Sequence, residues 1–277
     1  MLDVIIETLV DSLKILPFLF LTYLLIEYME HKAGSKINNA LKKSNGVKGP
    51  IIGSILGLLP QCGFSVSAAN LYAGRVISLG TLISVFLATS DEMLPILIIN
   101  GASLALIAQI LAIKLIIGMI AGIVIDIFIK KSVEDKIHDI CEETHCHCEK
   151  GILRSAIKHT LSIFFFIIII SFVLNITVDI IGVENLSVGI MQNKFIGPVI
   201  AMLIGLIPNC VATVFITELY LSGSILIGSL FAGTLMSAGV GFLVLFRVNK
   251  NIKENIKIIE IMSIISIIVG ILINLVI

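Results

Sequence analysis

The side chains able to do chemistry inside this apolar chain fall in two matching runs. Pro60-Gln61-Cys62 is followed three residues on by Ser65, and Pro208-Asn209-Cys210 is followed three residues on by Thr213. The pattern P-[QN]-C-x-x-[ST] therefore occurs twice. A spacing of three on a helix puts thiol and hydroxyl on one face, and Gln61 and Asn209 add amide oxygens beside them. Cysteine also serves as a small hydrophobe, and Ser and Thr pack helix interfaces. That explanation suits one copy better than two copies in register.

A separate run, Thr89-Ser90-Asp91-Glu92-Met93-Leu94-Pro95, sets two acids inside an apolar segment. An aspartate at the centre of a spanning helix costs about 2.5–3.5 kcal/mol. Pro95 offers no N–H to the carbonyl of Asp91, so the helix opens beside the carboxylates, and one or both bind a cation or carry a proton. The alternative is a helix that ends near Ala88, with the acids capping the next piece at an interface. Glu218 is a third acid, aligned with Asn70 in the first run, and both join the candidate transport set. Tyr72 and Tyr220 read as interface anchors, and Arg75 and Arg247 as snorkelling cations near segment ends. Asp126 falls at a predicted end and needs no special role.

The hydrophilic stretch HDICEETHCHC carries His138, Cys141, His145, Cys146, His147 and Cys148. Imidazole and thiolate suit Zn²⁺ and similar ions better than Mg²⁺ or Ca²⁺. No CxxC pair is present, so a mobile sensing or delivery site fits better than a permanent structural zinc. The rival is a solvated charged loop with incidental thiols.

The elements that must position these groups are membrane helices. Hydrophobic residues make up 57% of 277 and charged ones 14%, with a mean hydropathy of +1.10; soluble domains are far more charged. Apolar blocks fall at about 4–29, 49–73, 76–98, 102–129, 157–181, 195–221, 224–246 and 256–277, near the roughly 20 residues that cross about 30 Å of hydrocarbon. The first block carries Asp3, Glu7, Asp11 and Lys14 and reads as a retained helix rather than a signal peptide. Zero net charge gives no sign of a nucleic-acid partner.

The second half repeats the first at a constant offset: Gly49-Pro50 matches Gly197-Pro198, Pro60 matches Pro208, Tyr72 matches Tyr220 and Gly80 matches Gly228. Many secondary transporters are built this way. Lysine-rich loops at 30–48, around 131–156 and at 247–257 are expected in the cytoplasm, and the lysine-poor loop 182–194 outside. Three apolar segments between two cytoplasmic loops cannot all be single crossings. The proline-broken pair 49–73 and 195–221 supplies the exception. Pro60 and Pro208 divide each into pieces of about 11 residues, roughly 16 Å of helix, enough to reach mid-membrane and return. Two kinked spans with a weak charge signal are the competing reading. The expected fold is thus an all-α polytopic membrane protein with an inverted internal repeat. Each half has about three spans plus a broken re-entrant hairpin, giving eight to ten helical segments. Residues 1–130 form the first membrane repeat, 131–156 the cytoplasmic His/Cys loop and 157–277 the second repeat. Both termini are expected outside the inner (plasma) membrane.

The stretches GSILGLLPQCGFSVSAANLYAGRVISLGTLISVFLATSDEMLPIL and GLIPNCVATVFITELYLSGSILIGSLFAGTLMSAGVGFLVLFRVNK resemble the ten-helix heavy-metal exporter family, whose members are labelled arsenic efflux protein or manganese transporter. Counting each hairpin as two helices gives ten. The resemblance implies metal or metalloid export. Arsenite is best held by three thiolates, and the membrane segments supply Cys62 and Cys210 alone. Oxygen-rich candidates such as Gln61, Asn209 and Asp91 suit Mn²⁺ or a similar divalent ion. No G-x-x-x-x-G-K-[ST] stretch is present, so proton-coupled antiport is expected, with arsenite efflux as the alternative. The metal is cargo, no permanent cofactor is expected, and the partners are the ion and the lipid bilayer, with a homo-oligomer left open. No enzyme is expected. A membrane thiol enzyme using Cys62 or Cys210 would need a base, and no His or Lys is near either in sequence. A metal sensor is the remaining rival.

Overall fold

The computed structural model describes residues 47–59, 62–90, 93–129, 192–208 and 210–276, with scattered helical positions within 13–24 and 153–169. For Cys62, Cys210 and Val211 this covers the backbone alone. Pro60, Gln61, Asp91, Glu92, Asn209 and the loop residues His138, Cys141, His145, Cys146, His147 and Cys148 lie outside the described residues.

Among the described residues ten helices have both ends defined, and there is no strand. The first five are α1 (Lys48–Gly57), α2 (Cys62–Ala73), α3 (Leu79–Ala88), α4 (Met93–Ile99) and α5 (Leu104–Phe128). The second five are α6 (Ile196–Gly205), α7 (Cys210–Leu221), α8 (Ile227–Met236), α9 (Val240–Val248) and α10 (Ile252–Val276). Adding 148 to the bounds of α1, α2, α3 and α5 gives those of α6, α7, α8 and α10 residue for residue (48 + 148 = 196; 128 + 148 = 276). The repeat read from scattered Gly, Pro and Tyr is therefore a repeat of elements.

Among the described residues four stretches are long and apolar enough to cross a membrane: Leu79–Ile99, Leu104–Phe128, Ile227–Val248 and Ile252–Val276. The first joins α3 to α4 and the third joins α8 to α9, so two of the four are broken. Helices α1, α2, α6 and α7 have 10 or 12 residues, about 15–18 Å, too short to cross alone.

Burial sorts the elements into layers. Every residue of α3 from Gly80 to Ala88 and of α8 from Gly228 to Met236 is buried, as befits helices that are hydrophobic all round. Helices α5 and α10 bury one stripe each. Ile107, Ile110, Lys114, Gly118 and Gly122 on α5 match Asn255, Ile258, Met262, Ser266 and Gly270 on α10, position for position. Their other faces present Ile116, Ile120 and Ile127, and Ile264, Ile268 and Leu272, to the outside, where lipid would solvate them. Phe20, Leu24 and Phe164 also pack on the core.

Glycine lets the layers meet. A Cβ on Gly80 would sit 2.1 Å from the carbonyl oxygen of Gly122, and one on Gly228 2.1 Å from that of Gly270. Small residues are what allow helix backbones to approach this closely in lipid. The same contacts give directions. Gly53 lies against Thr81 and Ser84, and Gly57 against Val85 and Ala88, so α1 and α3 run side by side in one sense. Gly118 meets Ser84 and Gly122 meets Gly80, so α5 runs the other way. Helix α2 then leads from the far end of α1 back to the start of α3. Across the repeats, α2 packs on α9 and α7 on α4.

A candidate ion junction at two helix breaks

Helix α3 ends earlier than Pro95 implies. Thr89 leaves the helix at φ −52°, ψ 127°, and α4 begins at Met93. The helix end near Ala88 of the alternative reading is the one observed, and the backbone just past it is buried: Thr89 is 4% and Ser90 1% exposed. Backbone without helical partners is tolerated at membrane depth where protein surrounds it, and here it is surrounded.

The segment 224–246, read from the sequence as one plain span, breaks as well. Helix α8 stops at Met236, Ser237 caps it, and α9 starts at Val240 after Gly239 at φ 51°. That left-handed conformation is open to glycine at little cost. Ser237 is the counterpart of Thr89 (89 + 148 = 237), so the two breaks are equivalent. No proline marks the second one. The signal was in the repeat itself: a break predicted at 89–92 transfers to 237–240, where the sequence reads Ser-Ala-Gly-Val.

Both breaks connect to the ends of the short helices. Ser90 Oγ donates to the carbonyl of Leu58 at 2.8 Å, just past the end of α1. Thr213 Oγ1 and Ser237 Oγ share a hydrogen bond of 2.6 Å, buried, which ties α7 to the end of α8. The Ser65 side chain, fully buried, lies against Gly241 of α9; a Cβ there would be 2.9 Å from that of Ser65. The two hydroxyls of the P-[QN]-C-x-x-[ST] runs thus each face a break or the helix that follows one. Their cysteines, three residues earlier on α2 and α7, begin those helices.

The other candidates lie further off. Asn70 is buried and its amide donates to Val66 within α2 at 2.9 Å. Glu218 is exposed, eight residues along α7 from Cys210, about 12 Å of helix. Among the described residues no three His, Cys, Asp or Glu side chains gather into a metal site.

Sequence reasoning missed Lys114. It sits ten residues into α5, and its side chain is 0% exposed. Its Nζ donates to the carbonyl of Thr89, which caps α3, and at 2.9 Å to that of Thr234 in the last turn of α8. A lysine amid Leu-Ala-Ile-Lys-Leu-Ile-Ile is itself the signal, since a cation at membrane depth is expensive and needs a partner. A smaller polar cluster lies away from the breaks. Arg75 makes two bonds to Glu254, at 2.8 and 2.9 Å, and Tyr72 donates to the same carboxylate. Glu254 holds the guanidinium above its usual value, chiefly through the hydrogen bond. Arg75, expected to snorkel, instead ties the α2–α3 turn to the start of α10.

The arrangement is an apolar helical bundle with buried carbonyls, hydroxyls and one ammonium at two matched helix breaks. No curated protein and no solved structure matches the chain. The family model described as "Putative, 10TM heavy-metal exporter" matches residues 1–188, which takes in the first repeat and its break, and the chain belongs to that family.

Proposed function

We propose that the protein is a secondary-active exporter of a divalent transition metal, manganese first, driven by proton antiport. The observation that carries this reading is the pairing of the breaks. Thr89 and Ser237, equivalent residues of two repeats, end central helices inside the bundle, and hydrogen bonds from Ser90 to Leu58 and between Ser237 and Thr213 join the two breaks to the short helices. Broken helices at a repeat interface are the device by which many transporters bind ions at midplane.

The proposed topology is inverted, with α1–α2 and α6–α7 as re-entrant hairpins from opposite sides. Contacts support it. Helix α2 runs against α3, and Ser65 meets Gly241 while Tyr72 meets Glu254, so α2 and α9 run the same way. If α9 continues the direction of α8, then α3 and α8 are antiparallel. Arg75 beside Glu254 also puts the α2–α3 turn on the face of the lysine-rich 247–257 loop, the cytoplasmic side by charge. Both termini would then lie outside.

In the cycle, Gln61, Cys62, Asn209 and Cys210 ligate the ion near the hairpin tips, with Ser65 and Thr213 beside them. Asp91 or Glu92, next to the first break in sequence, exchanges protons for metal, and the repeats rock to alternate access. Glu218 is exposed on α7 and is given no part in that exchange. The His/Cys loop is proposed to deliver or sense metal.

The test is a panel of metals offered to inverted vesicles, with and without a pH gradient. Mn²⁺ uptake that rises with the gradient and vanishes in Asp91→Asn, with insertion intact, is the expected result. Wild-type rates in Asp91→Asn would remove that residue from the mechanism, and no flux of any metal would overturn the export reading.

A further inference from the structure

The repeat provides an internal control for the buried lysine at the junction. Lys114 and Met262 occupy the same register of α5 and α10 (114 + 148 = 262), and both are 0% exposed. Where the fold needs packing at this position, a methionine supplies it. The ammonium at 114 therefore answers to something other than helix contact.

Two of its acceptors are carbonyls at helix ends. Thr89 caps α3, and Thr234 lies in the last turn of α8. The final carbonyls of a helix lack intrahelical donors and carry the negative end of its dipole. Two such ends, one from each repeat, converge on Lys114 Nζ. Hydroxyls lie at the same two breaks, Ser90 on the first and Ser237 bonded to Thr213 at the second. The acids nearest in sequence are Asp91 and Glu92, two and three residues past Thr89. A junction of this kind is built to hold positive charge, and the chain supplies one of its own.

We infer that Lys114 is a resident tethered cation which the transported ion must displace. The inference rests on the export reading above. In the conformation described, the ammonium links Thr89 of one repeat to Thr234 of the other and fills the negative end of both broken helices. A divalent ion entering the junction repels it, and the ammonium leaves at least one carbonyl, which unlinks the repeats. On release of the ion the ammonium returns. The charge stays on Lys114 throughout; its position is what changes. Lysine thereby weakens metal binding and favours discharge, the property an exporter needs on its releasing side.

The test uses purified full-length protein and Mn²⁺ alone as the probe. Titration calorimetry compares wild type, Lys114→Met (the residue its counterpart already carries) and Lys114→Arg. Lys114→Met should bind Mn²⁺ tighter by about 100-fold or more, the scale for a unit charge facing a divalent ion about 10 Å away at an effective dielectric of 20. Lys114→Arg, which keeps the charge, should stay near wild type. Equal affinity in wild type and Lys114→Met overturns the inference and leaves the export reading standing. If neither variant folds, wild type decides: acylation of Lys114 by an amine reagent, read by mass spectrometry, should rise when Mn²⁺ is added. Labelling that is unchanged or falls overturns it. A wild type that neither binds nor carries any metal of the panel brings down the export reading, and the inference with it.

Discussion

Asn274 Oδ1 accepts the backbone N–H of Gly228 at 2.8 Å. In the first repeat, 148 residues earlier, Asp126 Oδ1 accepts the N–H of Gly80 at the same distance. Both N–H groups lie in the first turn of a buried helix, where no carbonyl of that helix can reach them. The last helix of each repeat reaches across to satisfy them. Asp126 does this with a second bond from Ser78 Oγ at 2.6 Å, so an acid placed by the sequence at an unremarkable helix end is an interhelical cap.

Because asparagine already does this in the second repeat, Asp126→Asn should fold and transport close to wild type. Its amide can donate to Ser78 Oγ, a hydroxyl that also accepts. Asp126→Leu leaves the Gly80 N–H without its acceptor and takes one partner from the Ser78 hydroxyl, and should lose about 1–3 kcal/mol. Asn274→Leu should behave alike. Unfolding of the purified protein in mixed micelles measures the difference, and a tolerated Asp126→Leu would contradict the capping role.

Glycine separates packing from conformation. Gly228→Ala drives a Cβ to 2.1 Å from the carbonyl of Gly270, backbone that cannot step aside, and should cost about 1–3 kcal/mol or more as overpacking. Gly101 has φ 71° and nothing within 4 Å of an added Cβ, so Gly101→Ala should cost about 1–2 kcal/mol from its left-handed backbone alone. Retention of the folded peak on size exclusion after graded heating compares them. Gly228→Ala should fall first.

What the sequence disclosed follows from how each feature is written in it. The repeat was readable because Gly, Pro and Tyr mark backbone events that recur in register, and the interruptions at Pro60 and Pro208 because proline removes a donor. The break at Ser237 was not, since Ser-Ala-Gly inside an apolar run is common in spanning helices and only its alignment with Thr89 exposes it. Thr213 was found through spacing, while its partner Ser237 lies 24 residues away, a distance no local pattern reports. Lys114 escaped because acids and thiols are the usual ligands of metals, and an ammonium is neither. Two of its acceptors are main-chain oxygens, of Thr89 and Thr234, and carbonyls leave no trace in residue type.

Arg75 and Glu254 should show strong non-additivity. Arg75 has φ 57°, whereas its counterpart is Gly223 at φ 73° (75 + 148 = 223). The non-glycine residue bears a backbone cost of about 1–2 kcal/mol in exchange for its two bonds to Glu254. Arg75→Gly alone should destabilise, because it takes two charge-assisted bonds from the Glu254 carboxylate, which is 10% exposed. In a Glu254→Gln background the same change should be neutral or stabilising. A double-mutant cycle by thermal unfolding checks the sign reversal, and equal effects in both backgrounds would show that the pair is not what holds the turn.

Thr213→Val offers the narrowest test of the junction in the second repeat. Valine keeps the shape of threonine and removes the hydroxyl, so α7 still packs while Ser237 loses the bond at 2.6 Å. Threonine is also held otherwise: Thr217 Oγ1 donates to its carbonyl at 2.7 Å, a backbone contact that valine retains. The variant should therefore insert and fold with a loss of about 1–3 kcal/mol from the unpaired serine. Its Mn²⁺ affinity should fall by about tenfold or more, the scale seen when a group that orients metal ligands is removed. Thr213→Ser, which restores the hydroxyl without the methyl, should recover affinity more fully than it recovers stability. Calorimetric titration with Mn²⁺ reads the first quantity and thermal unfolding the second. If Thr213→Val binds Mn²⁺ as wild type does, the hydroxyl only joins two helices, and the second break is structural rather than part of the ion path.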